Sequence, residues 1–341
     1  MTGTRRADID GLRAVAVIAV VLFHARVPGF GGGFAGVDVF FVISGFLITG
    51  LLVSEHETSG TIRLDRFWAR RFRRILPSLL VTIGLVLLIG SMVLTPWEWT
   101  PLLQSARAAS ASFSNFHFWR QEGGYFGPGA VQQPLLHTWS LGVEEQFYFV
   151  WPMVVLLALR WGGRRALVGA VGVIVAASLL ASVVMSPTAA AFYLPHARVW
   201  ELGVGGLAAT WVNRPASLSL RRRDVLGAIG LAIVVGSLFV VREGSFFPWP
   251  SALLPVLGTA TVVLCARPDT LVGRVLGWRP LSTIGLWSYS WYLFHWPAIV
   301  LVRAALDRHS LALETSAAFG SLGLAAVKDR KSTRLNSSHA N

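Results

Sequence analysis

Long apolar segments recur along the whole chain and exclude an ordinary water-soluble fold. A helix needs about 20 mostly apolar residues to cross the hydrocarbon core of a bilayer. Ten segments approach or reach that length, at residues 10–29, 34–53, 75–94, 138–160, 166–186, 196–212, 225–241, 251–266, 283–304 and 313–327. Only 14% of the residues are charged, whereas soluble domains average about 25%. The pattern predicts an all-α, polytopic membrane helix bundle with about ten transmembrane helices.

The arginines between these segments alternate from loop to loop, as the positive-inside rule requires of a polytopic protein. With the N-terminus inside, the loops after the second, fourth, sixth and eighth segments are cytoplasmic. These loops contain Arg63, Arg66, Arg70, Arg71, Arg73, Arg74, Arg164, Arg165, Arg214, Arg221, Arg222, Arg223, Arg267, Arg274 and Arg279. The opposite loops contain far fewer arginines, namely Arg107, Arg120, Arg242 and Arg308. We predict a cytoplasmic-membrane protein with both ends inside and a long outer loop near 95–136.

The net charge of +13 comes from these short clusters and does not indicate a nucleic-acid partner. Arginines that flank apolar segments face the anionic lipids of the bilayer, which is a predicted partner of the chain. The single cysteine, Cys265, rules out an intramolecular disulfide. No dense set of Asp, Glu and His at metal-ligand spacing is present, so no metal is predicted.

The last residues differ in composition from the rest of the chain. Lysine is absent from residues 1–327 and then occurs at Lys328 and Lys331. We interpret 8–327 as one membrane domain and 328–341 as a tail of non-native or misread origin. An ordinary polar cytoplasmic tail is the alternative interpretation.

Two polar residues of the first apolar segment share one helix face. Arg13 and His24 are eleven residues apart, which corresponds to three turns plus about 20° and to an axial separation of about 16 Å. An anionic group bound at Arg13 would therefore present a distant reactive atom near His24. The alternative is a snorkelling arginine and an interfacial histidine with no shared role.

Neighbouring segments add further charged candidates. Asp38 is predicted at a depth similar to His24, where a carboxylate beside an imidazole would raise its basicity and fix its tautomer. The alternative is a helix-end aspartate that faces water. Arg71 and Arg74 lie three residues apart and neighbour each other on a helix. Their guanidinium groups suit phosphate, although most such clusters only anchor a helix to anionic lipid.

Three later segments also place polar side chains in apolar helices. Glu144 and Glu145 are adjacent in the fourth segment and are expected to face the bundle interior, because a carboxylate in lipid is costly. Arg198 and Glu201 are spaced for a structural ion pair. In the ninth segment, the sequence SYSWYLFHWP suggests an interfacial role for Trp296 and leaves the role of His295 open.

Six ordered segments carry a resemblance to a known family: DIDGLRAVAVIAVVLFH, GVDVFFVISGFLITGLL, RRFRRILP, HTWSLGVEEQFYFVWP, RVWELGVGG and SYSWYLFHWP. They resemble the motifs of acyltransferase family 3, of the O-antigen and peptidoglycan O-acetyltransferase type, and span residues 8–300. The resemblance implies transfer of an acyl group, most commonly acetyl, from cytoplasmic acyl-coenzyme A to an extracytoplasmic glycan or lipid-linked acceptor. It assigns functional positions to Arg13, His24, Arg71, Arg74, Glu144 and Glu145, with His24 as the catalytic residue. Some relatives continue into an external SGNH-type domain, which the present sequence does not contain.

The resulting hypothesis is an integral membrane O-acyltransferase. His24 would act as general base or transient acyl carrier, and Asp38 or Glu145 would tune its charge. The substrate-binding candidates are Arg13, Arg71, Arg74 and Glu144. A thioester donor supplies its own activation, so no metal is required. One alternative is a transporter or flippase without covalent chemistry, because intramembrane charges and glycines also fit a transport path. The other is a non-catalytic membrane scaffold.

Overall fold

The computed structural model describes residues 5–121, 132–212, 218–244, 246–306 and 310–338, with the backbone alone from residue 327 onward. Within these ranges all regular structure is helical, which confirms the all-α prediction. The α-helices are α1 (Ala7–His24), α2 (Gly36–Ser59), α3 (Leu64–Val93), α4 (Pro96–Ser110), α5 (Ser114–Trp119), α6 (Thr138–Met185), α7 (Ala189–Tyr193), α8 (Val199–Val212), α9 (Leu220–Val240), α10 (Leu253–Cys265), α11 (Leu271–Leu276), α12 (Arg279–Leu306) and α13 (Leu311–Ser338).

Each of the ten predicted apolar segments overlaps a helix, and two of them fall in α6. The backbone of α6 leaves helical geometry at Gly162 and Gly163, and the positive φ of 61° at Gly163 is one that glycine adopts without steric cost. In the described part of the chain, four helices are long and apolar enough to cross a membrane: Gly33–Ser59, Leu64–Val93, Thr138–Met185 and Leu220–Val240. Leu253–Cys265 and Leu311–Ala326 are shorter apolar helices. The count of about ten spans therefore stays a prediction.

The segment predicted as a long outer loop near 95–136 contains two helices, α4 and α5. A capping box starts α4, with Thr95 as the N-cap and Glu98 three residues later, and Pro96 occupies the first turn. Local capping signals of this kind explain helix formation outside the long apolar runs. The glycine-rich residues 122–131 lie outside the described residues, as do 339–341 of the predicted tail.

Two close helix contacts position the polar residues of the bundle. α1 packs against α12, where a Cβ at Gly285 would overlap the backbone carbonyl of Asp10. α2 packs against α8, where a Cβ at Gly45 would overlap the carbonyl of Leu202, and one at Gly205 would overlap that of Val42. Small residues at these points let the backbones approach closely, as is common between membrane helices.

Replacing Gly285 with alanine is expected to push α1 and α12 apart and to lower the free energy of unfolding by about 1–3 kcal/mol, the usual cost of overpacking a close contact. Chemical unfolding in detergent micelles measures this loss. The matched control is Gly236→Ala on α9, where no heavy atom lies within 4 Å of the added Cβ. Equal stability of the two variants would contradict the importance of the α1–α12 contact.

Candidate active site

A cavity opens between α1, α2, α3, α6 and α12. It brings together five of the seven residues predicted as functional from the sequence, namely Arg13, Arg71, Arg74, Glu144 and Glu145. Three tyrosines and three serines add polar groups to its wall: Tyr148, Tyr289, Tyr292, Ser44, Ser140 and Ser288. The cavity therefore combines cationic, acidic and hydroxyl groups in a largely apolar bundle.

The cationic side of the cavity is supplied by three arginines from two helices. Arg13 of α1 lies 3.8 Å from the carboxylate of Asp10 and is mostly buried. Arg71 of α3 is half-buried and packs over the ring of Phe67, and its Nε is buried with no hydrogen-bond partner among the described residues. Arg74 is exposed at the same wall. A guanidinium group with an unused buried donor is suited to an anionic oxygen of a ligand.

The acidic side of the cavity comes from α6. Glu144 accepts hydrogen bonds from the hydroxyl groups of Ser44 and of Tyr148, the latter at 2.6 Å. Glu145 accepts a hydrogen bond from the hydroxyl group of Ser112, and its Oε1 is buried without a partner among the described residues. The two adjacent glutamates thus face the bundle interior, as the sequence predicts.

His24 lies in a buried cluster of histidines rather than on the wall of this cavity. Its Nδ1 is 2.8 Å from Nε2 of His295, and the two rings stack with centroids 5.1 Å apart. The ring of His137 meets that of His295 edge-on at 5.7 Å. Tyr292 joins the two regions, because it lines the cavity and its ring centroid is 5.5 Å from those of both His137 and His295.

Hydrogen bonds hold Tyr292 at the boundary between the cavity and the histidine cluster. Its hydroxyl group donates to the backbone carbonyl of His137 at 3.0 Å and lies 2.7 Å from the hydroxyl group of Ser140. A further hydrogen bond runs from Arg303, whose Nη2 donates to the backbone carbonyl of His24 at 3.1 Å. These hydrogen bonds join α12 to His137 at the start of α6 and to His24 at the end of α1.

The structure places Asp38 beside Arg198 and not beside His24, which corrects the predicted carboxylate–imidazole contact. Nη2 of Arg198 donates to Oδ1 of Asp38 at 2.7 Å, and Nη1 lies 2.9 Å from Oε1 of Glu201. All three side chains are at most 1% exposed. A buried carboxylate gains far more from a guanidinium cation than from a neutral imidazole, and the packing of α2 on α8 supplies that cation.

The chain matches a known family over nearly its whole length. The family model, described as an acyltransferase domain, covers residues 6–328. The chain belongs to the acyltransferase 3 family. Among curated proteins, a peptidoglycan O-acetyltransferase OatA of Listeria monocytogenes is 33% identical over 315 residues, which are 88% of this chain and 50% of the relative. No solved structure matches the chain.

Two further curated relatives match the chain with a similar sequence identity and coverage. An O-acetyltransferase OatA of Staphylococcus aureus is 33% identical over 316 residues, 87% of this chain and 51% of the relative. A putative peptidoglycan O-acetyltransferase YrhL of Bacillus subtilis is 32% identical over 311 residues, 86% of this chain and 48% of the relative. The chain thus spans about half the length of the curated relatives that it matches.

Several residues of this candidate site carry no local sequence signal. His295 contacts His24 across 271 positions of the chain, and only the packing of α1 on α12 brings them together. Trp296, predicted at the membrane interface, is 4% exposed; its ring lies 4.6 Å from that of His24, and its Nε1 donates to the carbonyl of Gln133 at 2.8 Å. By contrast, the predicted Arg198–Glu201 ion pair is confirmed, because its i,i+3 spacing is local.

Proposed function

We propose that this chain is an integral membrane O-acyltransferase that moves an acyl group, with acetyl as the expected one, from cytoplasmic acyl-coenzyme A to a hydroxyl group of an extracytoplasmic glycan or lipid-linked acceptor. Membership of the acyltransferase 3 family supports the reaction class. The names of the relatives, peptidoglycan O-acetyltransferases, favour a carbohydrate acceptor. The observation that carries the proposal is a three-arginine cavity joined through Tyr292 to a buried histidine cluster.

The arginine-lined side of the cavity is the proposed entrance for the donor. In the ten-span topology with both ends inside, Arg13, Arg71 and Arg74 belong to the cytoplasmic side. Coenzyme A carries several phosphate oxygens, and guanidinium groups bind such oxygens by charge-assisted hydrogen bonds. The buried Nε of Arg71, which has no partner in the described part of the chain, fits this role, because an unsatisfied donor in a bundle is costly unless a ligand uses it.

His24 is the proposed catalytic residue of the transfer. The acceptor hydroxyl oxygen attacks the thioester carbonyl carbon while an imidazole nitrogen of His24 takes the hydroxyl proton. The new C–O ester bond forms, the C–S bond breaks, and the proton passes from His24 to the leaving sulfur, which departs as the thiol. In the alternative acyl-carrier route, His24 holds the acyl group between donor and acceptor. This route is distinguished from general-base catalysis by an acyl-enzyme that can be isolated.

The acidic side of the cavity is proposed to orient the substrates. Oε1 of Glu145, unpaired among the described residues, is available to accept a hydrogen bond from an amide or hydroxyl group of a substrate. Glu144 accepts hydrogen bonds from Ser44 and Tyr148, which fix its carboxyl group in the cavity that the arginines also line. A cavity that carries guanidinium groups and carboxyl groups on different helices favours one orientation of a bound donor.

Acetyl transfer by purified protein in proteoliposomes tests the proposal directly. Vesicles receive acetyl-coenzyme A labelled in the acetyl group, and N-acetylglucosamine oligomers serve as the acceptor probe. Label in an ester of the oligomer, together with release of free coenzyme A, supports the O-acyltransferase. Movement of labelled donor or of oligomer across the membrane with no covalent product would replace it with the transporter alternative.

Replacing Arg71 with glutamine is expected to raise the KM for acetyl-coenzyme A by about 10- to 100-fold, because one charge-assisted contact of about 1.5–3 kcal/mol is lost. The value of kcat at saturating donor is expected to change little. Initial-rate kinetics in proteoliposomes measure both constants. The matched control is Arg73→Gln on the same helix, since Arg73 is exposed and its Nε bonds the carbonyl of Ala69. A similar KM in both variants would remove Arg71 from donor binding.

A further inference from the structure

His295 of α12 approaches the proposed catalytic residue directly. It is fully buried, and its Nε2 lies 2.8 Å from Nδ1 of His24. We propose that His295 is a positioning residue that holds His24 in the tautomer with its proton on Nδ1, so that Nε2 of His24 is the atom that takes the proton of the acceptor hydroxyl. This inference rests on the O-acyltransferase function proposed above.

The direction of the hydrogen bond between the two rings follows from a third group. Nδ1 of His295 lies 3.2 Å from the backbone carbonyl oxygen of Trp291, one turn earlier in α12. A carbonyl oxygen only accepts, so Nδ1 of His295 is the protonated donor. A neutral imidazole carries a single N–H group. Nε2 of His295 is therefore an acceptor, and Nδ1 of His24 donates to it.

The charges around the cluster keep both rings neutral in the resting protein. The guanidinium of Arg303 lies 5.9 Å from the ring centroid of Trp296, which packs on His24, and donates to the backbone carbonyl of His24. Arg303 is itself paired with Glu314 of α13. A protonated His24 or His295 would be a second buried cation close to Arg303, and both desolvation and repulsion make that costly.

The third histidine of the cluster is held in a defined state by the same reasoning. Nε2 of His137 lies 3.1 Å from the backbone carbonyl of Leu293, so Nε2 is its protonated nitrogen. Its Nδ1 is buried with no hydrogen-bond partner among the described residues, where a second ring proton would be left unsatisfied, so the ring is neutral when it faces His295 edge-on. The titratable and charged groups that face the His24–His295 pair in the described structure are thus His137, Tyr292 and Arg303, and Arg303 is paired with Glu314.

The fixed tautomer has a consequence for the chemistry. With Nδ1 of His24 protonated, Nε2 carries the lone pair that accepts a proton from the acceptor hydroxyl. While that proton resides on Nε2, the ring is an imidazolium, and the hydrogen bond from its Nδ1–H to His295 stabilises the charge. The same division of roles between a base and the group that orients it operates in hydrolytic triads, where the wrong tautomer lowers kcat by about 10⁴-fold.

Nitrogen NMR of the intact protein, labelled with ¹⁵N-histidine in lipid bilayers, reads the tautomer without reference to activity. His24→Gln removes one ring and so assigns the His24 signals among the eight histidines of the chain. We expect a protonated Nδ1 and an unprotonated Nε2 for His24 at neutral pH. A protonated Nε2 and an unprotonated Nδ1 in the wild-type protein would overturn the inference by itself.

Two substitutions of His295 separate positioning from packing. His295→Gln keeps a carbonyl oxygen that accepts from Nδ1 of His24, whereas His295→Met fills similar space without a strong acceptor. We expect His295→Met to lower kcat by about 10²- to 10⁴-fold with an unchanged KM for acetyl-coenzyme A, and His295→Gln to restore most of the loss. The control is His196→Gln, at an exposed histidine.

The outcomes of this pair of experiments are distinct. Equal kcat in His295→Met and the wild-type protein, or equal losses in His295→Met and His295→Gln when both insert into the membrane, would overturn the positioning role. If both variants fail to insert, the tautomer measured in the wild-type protein still decides. Wild-type protein that transfers no acetyl group refutes the proposed function instead, and the NMR result is unaffected by that failure.

Discussion

Substitution of His24 by alanine is expected to reduce acetyl transfer in proteoliposomes by about 10²- to 10⁴-fold, the usual contribution of a positioned general base. His24 is 6% exposed and contacts His295, whose ring lies 5.5 Å from that of Tyr292 on the wall of the arginine-lined cavity. The KM for acetyl-coenzyme A is expected to stay near its wild-type value, because Arg13, Arg71 and Arg74 remain in place. A fall in kcat alone identifies an interaction made only during the reaction.

The control for this variant is His196→Ala, which removes an exposed histidine that contacts Met185. Both variants are first compared for insertion and for thermal unfolding in detergent, since His24 packs against Trp296 and Phe23. Full transfer activity in inserted His24→Ala protein would remove His24 from the mechanism. The arginine-lined cavity would then need another base, and Glu145, whose Oε1 has no partner within the described segments, is the next residue to replace.

The sequence predicts those parts of the site that depend on one helix. The i,i+3 spacing of Arg71 and Arg74, the adjacency of Glu144 and Glu145, and the Arg198–Glu201 pair are local features, and the structure contains each of them. The helical character of all ten apolar segments is likewise a local consequence of composition. Local periodicity fixes which residues share a face and at what depth they lie.

Contacts between distant helices lie beyond that reasoning. The depth of Asp38 along α2 is readable from the sequence, but the direction of its side chain depends on which helix packs beside it. Gly45 and Gly205 let α2 and α8 meet closely and bring Arg198 to Asp38. Gly285 similarly brings α12 to α1 and creates the contact of His24 with His295. A single sequence does not specify such pairings, because many helix pairs carry glycines.

The placement of Asp38 leads to the largest stability effect expected in the molecule. Replacing Arg198 with methionine leaves the carboxylates of Asp38 and Glu201 buried without their cation, which is expected to lower the free energy of unfolding by about 3–5 kcal/mol. The guanidinium also lies within 6 Å of the ring centroids of four aromatic side chains, namely Phe41, Trp139, Phe192 and Phe247. Chemical unfolding in detergent micelles measures the loss.

A triple variant, Arg198→Met with Asp38→Asn and Glu201→Gln, separates two causes of the stability loss: the unpaired charges of the two carboxylates and the lost packing around the guanidinium. Neutral amides of the same size remove the uncompensated charges, so most of the lost stability is expected to return.

The triple variant is also expected to keep acetyl transfer within about tenfold of wild type, because Asp38 pairs with Arg198 and not with His24. A change of that size corresponds to a small geometric shift rather than to the loss of a general base. Recovered stability with transfer as low as in His24→Ala would instead return Asp38 to the chemistry, acting through a rearrangement of α1 and α2. If the free energy of unfolding of the triple variant stays as low as that of Arg198→Met, the aromatic rings around Arg198, rather than the two carboxylates, require the cation.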